Sequence, residues 1–140
     1  MSSRAKPRKL SQKNYEALAD FRFALRRFFA FSEEAAGAVG LSPKQYQALL
    51  AIKGGADGSK LGIQEIADRL MIRHHTAVEL VDRLVSNGFV TRVKCETDQR
   101  RVQVCISDKA DRIMNKLAAA HLRELKGIRP VLDQLLSQFD

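Results

Sequence analysis

The chain has no tryptophan, two cysteines, three prolines and three histidines among its 140 residues. Each shortage removes a class of protein. Two cysteines cannot supply the disulfide framework of a small secreted domain, and Cys95 and Cys105 lack the paired spacing of a structural zinc site. His74 and His75 are neighbours on a predicted helix and so point in different directions. His121 stands alone on an apolar segment, where a partly exposed helix residue is expected. No cysteine lies near a histidine in a nucleophilic motif, so no catalytic residue, metal ligand or cofactor is expected, and no enzyme. No apolar run approaches the roughly 20 residues that span a bilayer. Met1 to Lys9 carries no hydrophobic stretch of the kind a secretory signal needs, so the expected compartment is the cytoplasm, with no membrane partner. Lys53 to Lys60 is glycine-rich, yet it lacks the Gly-x-x-x-x-Gly-Lys-Ser/Thr order and a strong preceding strand. It reads as a flexible loop rather than a phosphate cradle.

Positive charge is what the chain has in excess. Its 24 Lys and Arg against 16 Asp and Glu give a net charge of +8 and a pI near 9.9, which favours a polyanionic partner. Much of that charge lies in residues 1–12, with Arg4, Lys6, Arg8 and Lys9, and in a second cluster from Arg92 to Arg101. Residues 1–12 read as a disordered basic tail able to track phosphates. The length suits one domain with a small core.

Hydrophobic spacing then divides the chain. Residues 13–40 hold one long helix, from Asn14 to about Ala38. Leu18, Phe21, Leu25 and Phe28 form a heptad-like stripe on it, which Phe23, Phe29 and Phe31 widen. So much aromatic surface points to a second chain as well as to an internal core. Ser42-Pro43-Lys44-Gln45 is a capping-box helix start, with Tyr46, Leu49, Leu50 and Ile52 as its buried face. Ile66, Ala67 and Leu70 share a face of a short helix beginning at Ile63. Met71 to Arg73 form a turn. Ala77, Leu80, Val81, Leu84 and Val85 then line a second helix from His74 to Asn87, which Gly88 stops. Past Gly88 the period changes to that of strands: Phe89 to Cys95 and Val102 to Ser107 flank the polar loop Glu96 to Arg101. Two short helices, a tight turn and a basic hairpin make a winged helix-turn-helix over residues 41–107. Residues 108–140 return to helix, capped by Asp108, with Ile113, Leu117, Ala120 and Leu125 at helical spacing. Pro130 interrupts it before a closing helix with Val131, Leu132, Leu135, Leu136 and Phe139. The fold class is mainly α with a small β-hairpin wing, and N- and C-terminal helices for dimerisation.

The chain resembles the MarR family of transcriptional regulators. The matching pieces are Ser42 to Leu50, Ile66 to Leu70, Leu80 to Leu84, Asn87 to Val90, and Asp98-Gln99-Arg100 followed by Val102 to Ser107. Together they span roughly residues 14 to 125. The resemblance implies a homodimer that regulates transcription, usually as a repressor, on a pseudo-palindromic double-stranded DNA operator. It also implies frequent release by a small aromatic ligand, for which Phe21, Phe28, Tyr46 and His121 are the candidate cleft. At their helical spacing these four are expected to be core residues first.

An α-helix fits the major groove, so the recognition helix should present Arg73, His74, His75, Thr76, Glu79 and Arg83 to DNA. His74, His75 and Thr76, at its start, come nearest to base edges. Histidine can donate to guanine acceptors, and Arg73 and Arg83 suit phosphates. Glu79 departs from the family, which often has a basic or polar residue here. It can accept from cytosine N4 or pair with Arg83 one turn on, and the pair is expected. On the wing, Arg92, Lys94, Arg100 and Arg101 surround Asp98. By resemblance, Asp98 steadies the wing and Arg100 enters the minor groove, whose narrow stretches concentrate negative potential. Two alternatives stay open. One is a protein-interaction winged helix without DNA binding, kept open by Glu79 and Asp82. The other is a redox-responsive regulator in which facing strands bring Cys95 and Cys105 together.

Overall fold

The computed structural model describes residues 9–56, 58–95, 97–98 and 100–139. Arg4, Lys6 and Arg8 of the basic tail, and Glu96 and Gln99 of the wing loop, therefore lie outside the described residues. The elements in chain order are α1 (Gln12–Ala38), α2 (Pro43–Lys53), β1 (Lys60–Gly62), α3 (Ile63–Leu70), α4 (His74–Ser86), β2 (Val90–Lys94), β3 (Val102–Ile106), α5 (Asp108–Lys126) and α6 (Arg129–Leu136), with a final 3-10 turn, Ser137–Phe139. The chain is mainly helical with a small antiparallel sheet.

Two compact units divide it. One holds residues 32–121, and the other holds residues up to 31 together with 122–140. The division falls inside α1 and α5, not at residues 40 and 107. The reason is packing: Ala36 near the end of α1, and Ala110, Met114 and Leu117 on α5, belong to the same buried cluster as the winged helix.

That cluster forms around Leu49, Ile52, Ile66, Val81, Leu84, Val90 and Val104, the largest side chains with essentially no exposure. Burying each such side chain stabilises the fold by about 1.5–3 kcal/mol. Leu50 was expected on this face but is half exposed. It sits between the buried Leu49 and the partly buried Ala51, too far round the helix to share the stripe of Tyr46, Leu49 and Ile52.

The capping box forms as the residues predict. Ser42 Oγ accepts from Gln45 N at 3.1 Å and Gln45 Oε1 accepts from Ser42 N at 2.9 Å. The expected flexible loop ends instead in a strand. Residues Lys60–Gly62 pair antiparallel with β3, Lys60 opposite Cys105 and Leu61 opposite Val104, so β3 lies between β1 and β2. Gly55 explains part of the glycine content here. A Cβ on it would come within 2.5 Å of the Lys60 carbonyl oxygen, so only glycine lets the chain double back this closely.

The C-terminal helix begins differently from the expectation. Asp108 is already inside α5, and Ser107 is the cap: its Oγ accepts from Ala110 N at 3.2 Å. The same hydroxyl donates to the Gly88 carbonyl at 2.7 Å. The break after α5 comes at Gly127 and Ile128, and Pro130 stands in the first turn of α6, where its missing N–H costs nothing.

In the other unit, Asn14 Nδ2 donates to Gln138 Oε1 at 2.6 Å. Ala17 and Leu135 are buried there. Leu18, Phe23, Phe29, Leu122, Leu132 and Leu136 are exposed.

Candidate nucleic-acid interface

The turn between α3 and α4 sets the angle of the second helix. Met71 takes the left-handed conformation, φ 57°, and Ile72 N–H reaches back to the Ala67 carbonyl at 3.0 Å. That six-to-one closure ends α3 and starts α4 within three residues. α4 buries Ala77, Val81 and Leu84. Its opposite face leaves His74, His75, Thr76, Glu79 and Arg83 exposed, with Arg73 at the N-cap. Arg73 makes no side-chain cap bond, and among the described residues no side chain accepts from the first-turn amides. The helix start is thus positively polarised and open to an anion.

Most of the expected contact residues share this surface, but their charges are not equally free. Asp82 on α4 forms an exposed ion pair with Arg92 on β2, a contact between the helix and the wing. Arg101 lies 3.5 Å from Glu65 on α3, with both side chains about half exposed. Glu65 also accepts from Gly62 N at 3.2 Å, so the pair is built on the start of α3. Among the described residues, no ion pair joins Glu79 to Arg83. The two instead line one shallow groove with Ser42, Lys44, Gln45, Ile72, Thr76 and Leu80. The expected i,i+4 pair is therefore corrected: both residues line the groove without pairing among the described residues.

The wing loop is organised by Asp98. Its Oδ1 accepts from Arg100 N at 3.1 Å, the side-chain-to-backbone turn that aspartate favours two residues before an amide. Its carbonyl accepts from Arg101 N at 3.0 Å, and Cys95 N donates to the Arg101 carbonyl at 3.0 Å. The Arg100 side chain is exposed, and among the described residues neither Arg100 nor Lys94 has an ion-pair partner.

The cysteines do not face one another. Cys95 stands opposite Arg101, while Cys105 pairs with Thr91. They are four residues apart along the ladder, roughly 13 Å at strand rise. A disulfide needs Cα atoms within about 7 Å, so an internal Cys95–Cys105 bond is excluded. The Thr97 hydroxyl 3.2 Å from its sulfur, helped by the backbone at Thr97 and Asp98, holds the Cys95 thiol below the ordinary cysteine pKa.

The candidate ligand cleft also differs from expectation. His121 is buried rather than partly exposed. Its Nδ1 lies 2.7 Å from the Leu117 carbonyl and its Nε2 lies 2.8 Å from Ser32 Oγ. The ring stacks on Tyr46 at 4.8 Å, and burial raises the Tyr46 pKa. Phe21 and Phe28 belong to the other compact unit.

Several contacts at this surface carry no local signal in the sequence. Asp82–Arg92 and Glu65–Arg101 join residues distant along the chain. Lys109 Nζ donates to the Asn87 carbonyl at 2.9 Å, closing the C-terminus of α4 from α5. Gln64 Nε2 donates to Asp68 Oδ1 at 2.9 Å, and Gln64 Oε1 lies 3.0 Å from His74 Nδ1. Only the Gln64–Asp68 spacing of four was visible beforehand.

Comparison with known proteins adds a family likeness. A model of the MarR family matches residues 39–101, from the approach to α2 to the wing. That match spans the winged helix, under half of the chain. It is 29% identical over 79 residues to the HTH-type transcriptional regulator SarZ of Staphylococcus epidermidis, which covers 56% of this chain and 51% of SarZ. It is 24% identical over 88 residues to the HTH-type transcriptional regulator PecS of Dickeya dadantii, covering 63% and 53%. The chain thus spans about half the length of the curated relatives it matches. Among solved structures, a MarR family protein from Bacillus stearothermophilus superposes with a TM-score of 0.73 at 20% identity, covering 94% of this chain and 96% of that one. Sco3205, a MarR family regulator from Streptomyces coelicolor solved in complex with DNA, gives 0.65 at 20% identity, with coverage of 91% and 79%. These likenesses establish the winged-helix fold that those structures share.

Proposed function

We propose that this chain belongs to the MarR family and is a transcriptional regulator that binds double-stranded DNA sequence-specifically, as a homodimer on a pseudo-palindromic operator, and represses by occupying it. The observation that carries the proposal is the Asp98-braced turn, which presents Arg100, without an ion-pair partner among the described residues, on the wing of a winged helix whose α4 leaves its polar face open. The relatives SarZ and PecS are described as transcriptional regulators, and Sco3205 was solved on DNA. Dimerisation is supported by the exposed apolar side chains of α1, α5 and α6, including Leu18, Phe23, Phe29, Leu122, Leu132 and Leu136. Apolar exposure on this scale marks an interaction surface.

In this scheme α4 enters the major groove with His74, His75, Thr76 and Glu79 toward bases. Arg73 and Arg83 hold phosphates, and Arg100 and Lys94 follow the wing to the minor groove. Arg92 and Arg101 act chiefly by holding the wing to α4 and α3. A small aromatic effector would have to displace the His121 ring from Tyr46, shifting the dimer toward a half-site spacing that no longer fits DNA.

The test pairs light scattering of the purified protein with binding to random duplex DNA at low salt, followed by footprinting on selected sites. A dimer that protects two half-sites about one helical turn apart is expected. A monomer indifferent to duplex DNA would overturn the proposal, and would favour a protein-interaction module.

A further inference from the structure

The Asp68–Gln64–His74 chain of hydrogen bonds determines which way His74 can read a base. A carboxylate only accepts, so the Gln64 amide must turn its NH2 toward Asp68 Oδ1, 2.9 Å away. That leaves Gln64 Oε1 facing His74 Nδ1 at 3.0 Å. An amide oxygen also only accepts, so Nδ1 must carry the hydrogen. In the neutral imidazole the proton is then absent from Nε2, which is left as an acceptor. His74 is the first residue of α4 and is exposed, and Gln64 and Asp68 sit one turn apart on α3.

We propose that Gln64 and Asp68 are specificity-positioning residues, holding the His74 ring so that its Nε2 accepts a hydrogen bond from the exocyclic amino group of adenine or cytosine in the major groove. The proposal rests on the DNA-binding reading above. It reverses the simplest expectation for a histidine at this place, donation to guanine. Adenine N6 and cytosine N4 are the amino donors of the major groove, whereas guanine presents only acceptors there. A ring free to turn or change tautomer would satisfy either pattern. The relay removes that freedom before DNA arrives, so the choice of base is made on α3, by residues that need not touch DNA.

The experiment is selection from a randomised duplex library with the full chain at mildly alkaline pH. It compares wild type, His74→Ala, Gln64→Leu and Gln64→Glu, with thermal unfolding of each. Wild type should prefer an amino-bearing base at one position of each half-site. His74→Ala should lose that preference by about 2- to 10-fold, the worth of one hydrogen bond. Gln64→Leu fills similar space but cannot accept, so it should relax the same position alone. Gln64→Glu places a carboxylate beside the imidazole, favours the imidazolium with both nitrogens donating, and should move the preference toward guanine. Unchanged preference in Gln64→Leu, with His74→Ala altered and all variants folded, would overturn the relay. A position that stays the same in Gln64→Glu would do so as well. If wild type itself enriches no sequence, the DNA-binding reading fails first, and the relay with it.

Discussion

Removing Arg100 should change how binding responds to salt more than it changes the protein. Its guanidinium is exposed and has no ion-pair partner among the described residues, while its backbone is held by Asp98 Oδ1. Arg100→Ala therefore keeps the turn, and stability should move by no more than about 0.5 kcal/mol. On DNA each lost phosphate contact lowers the slope of log K against log salt by about 0.9, so a symmetric pair of wings should lose about 1.8. Between about 50 and 200 mM salt, wild type should then lose affinity about 12-fold more than the variant does. If counterion release were the whole effect, the variant would be weaker by about 200-fold at the low end and about 18-fold at the high end. Fluorescence anisotropy on a selected operator across a salt series measures both numbers. Parallel lines for wild type and variant, at any vertical offset, would refute the groove contact, because the arginine would then displace no counterions.

The pair Asp82–Arg92 should behave in the opposite sense. Arg92→Ala leaves an unpaired carboxylate beside the duplex and weakens binding, whereas the double replacement with Asp82→Ala restores most of it. Folding itself should shift by only about 0–1 kcal/mol, as for any exposed ion pair. Failure of the double variant to recover affinity would mean that Arg92 contacts DNA directly. Ser107→Ala removes both the bond to Gly88 and the cap on α5, and should lower stability by about 1–2 kcal/mol in chemical denaturation. Ser107→Thr, which keeps the hydroxyl, should recover part of the loss. Gly55→Ala forces the Lys60 carbonyl away and should cost about 1–3 kcal/mol, the range for overpacking. Because the Thr97 hydroxyl favours the thiolate of Cys95, alkylation of Cys95 followed by mass spectrometry should show a pH midpoint below the ordinary thiol value. Thr97→Val should raise it.

Helices were legible wherever one face repeats at helical spacing. Ile66 and Ala67 on α3, and Ala77, Val81 and Leu84 on α4, are buried as their spacing predicts. The capping box at Ser42 was legible because both partners lie within one turn. What escaped was set by partners far along the chain. β1 is three residues long and contains a glycine, so it has no alternation to see; it exists because β3 offers an unpaired edge to Leu61. The Asp98-x-Arg100 geometry was available only through family resemblance, although its physical cause, aspartate accepting from the amide two residues on, is local.

Charge was the least legible property. A row of arginines on a hairpin reads from sequence as one basic patch, and counting would give Arg92, Arg100 and Arg101 equal standing. Folding sorts them. Asp82 takes Arg92, Glu65 takes Arg101 in part, and Arg100 is left facing solvent on a braced turn. The same sorting acts on the acids: among the described residues Asp82 has an ion-pair partner and Glu79 has none. Arg92 and Arg101 each have a carboxylate partner, and Arg100 has none among the described residues. On the proposed reading, the difference between a scaffold cation and a binding cation lies in which carboxylates the fold brings near. That is why replacing Arg92 and replacing Arg100, two residues alike on paper, should separate so clearly in a salt titration.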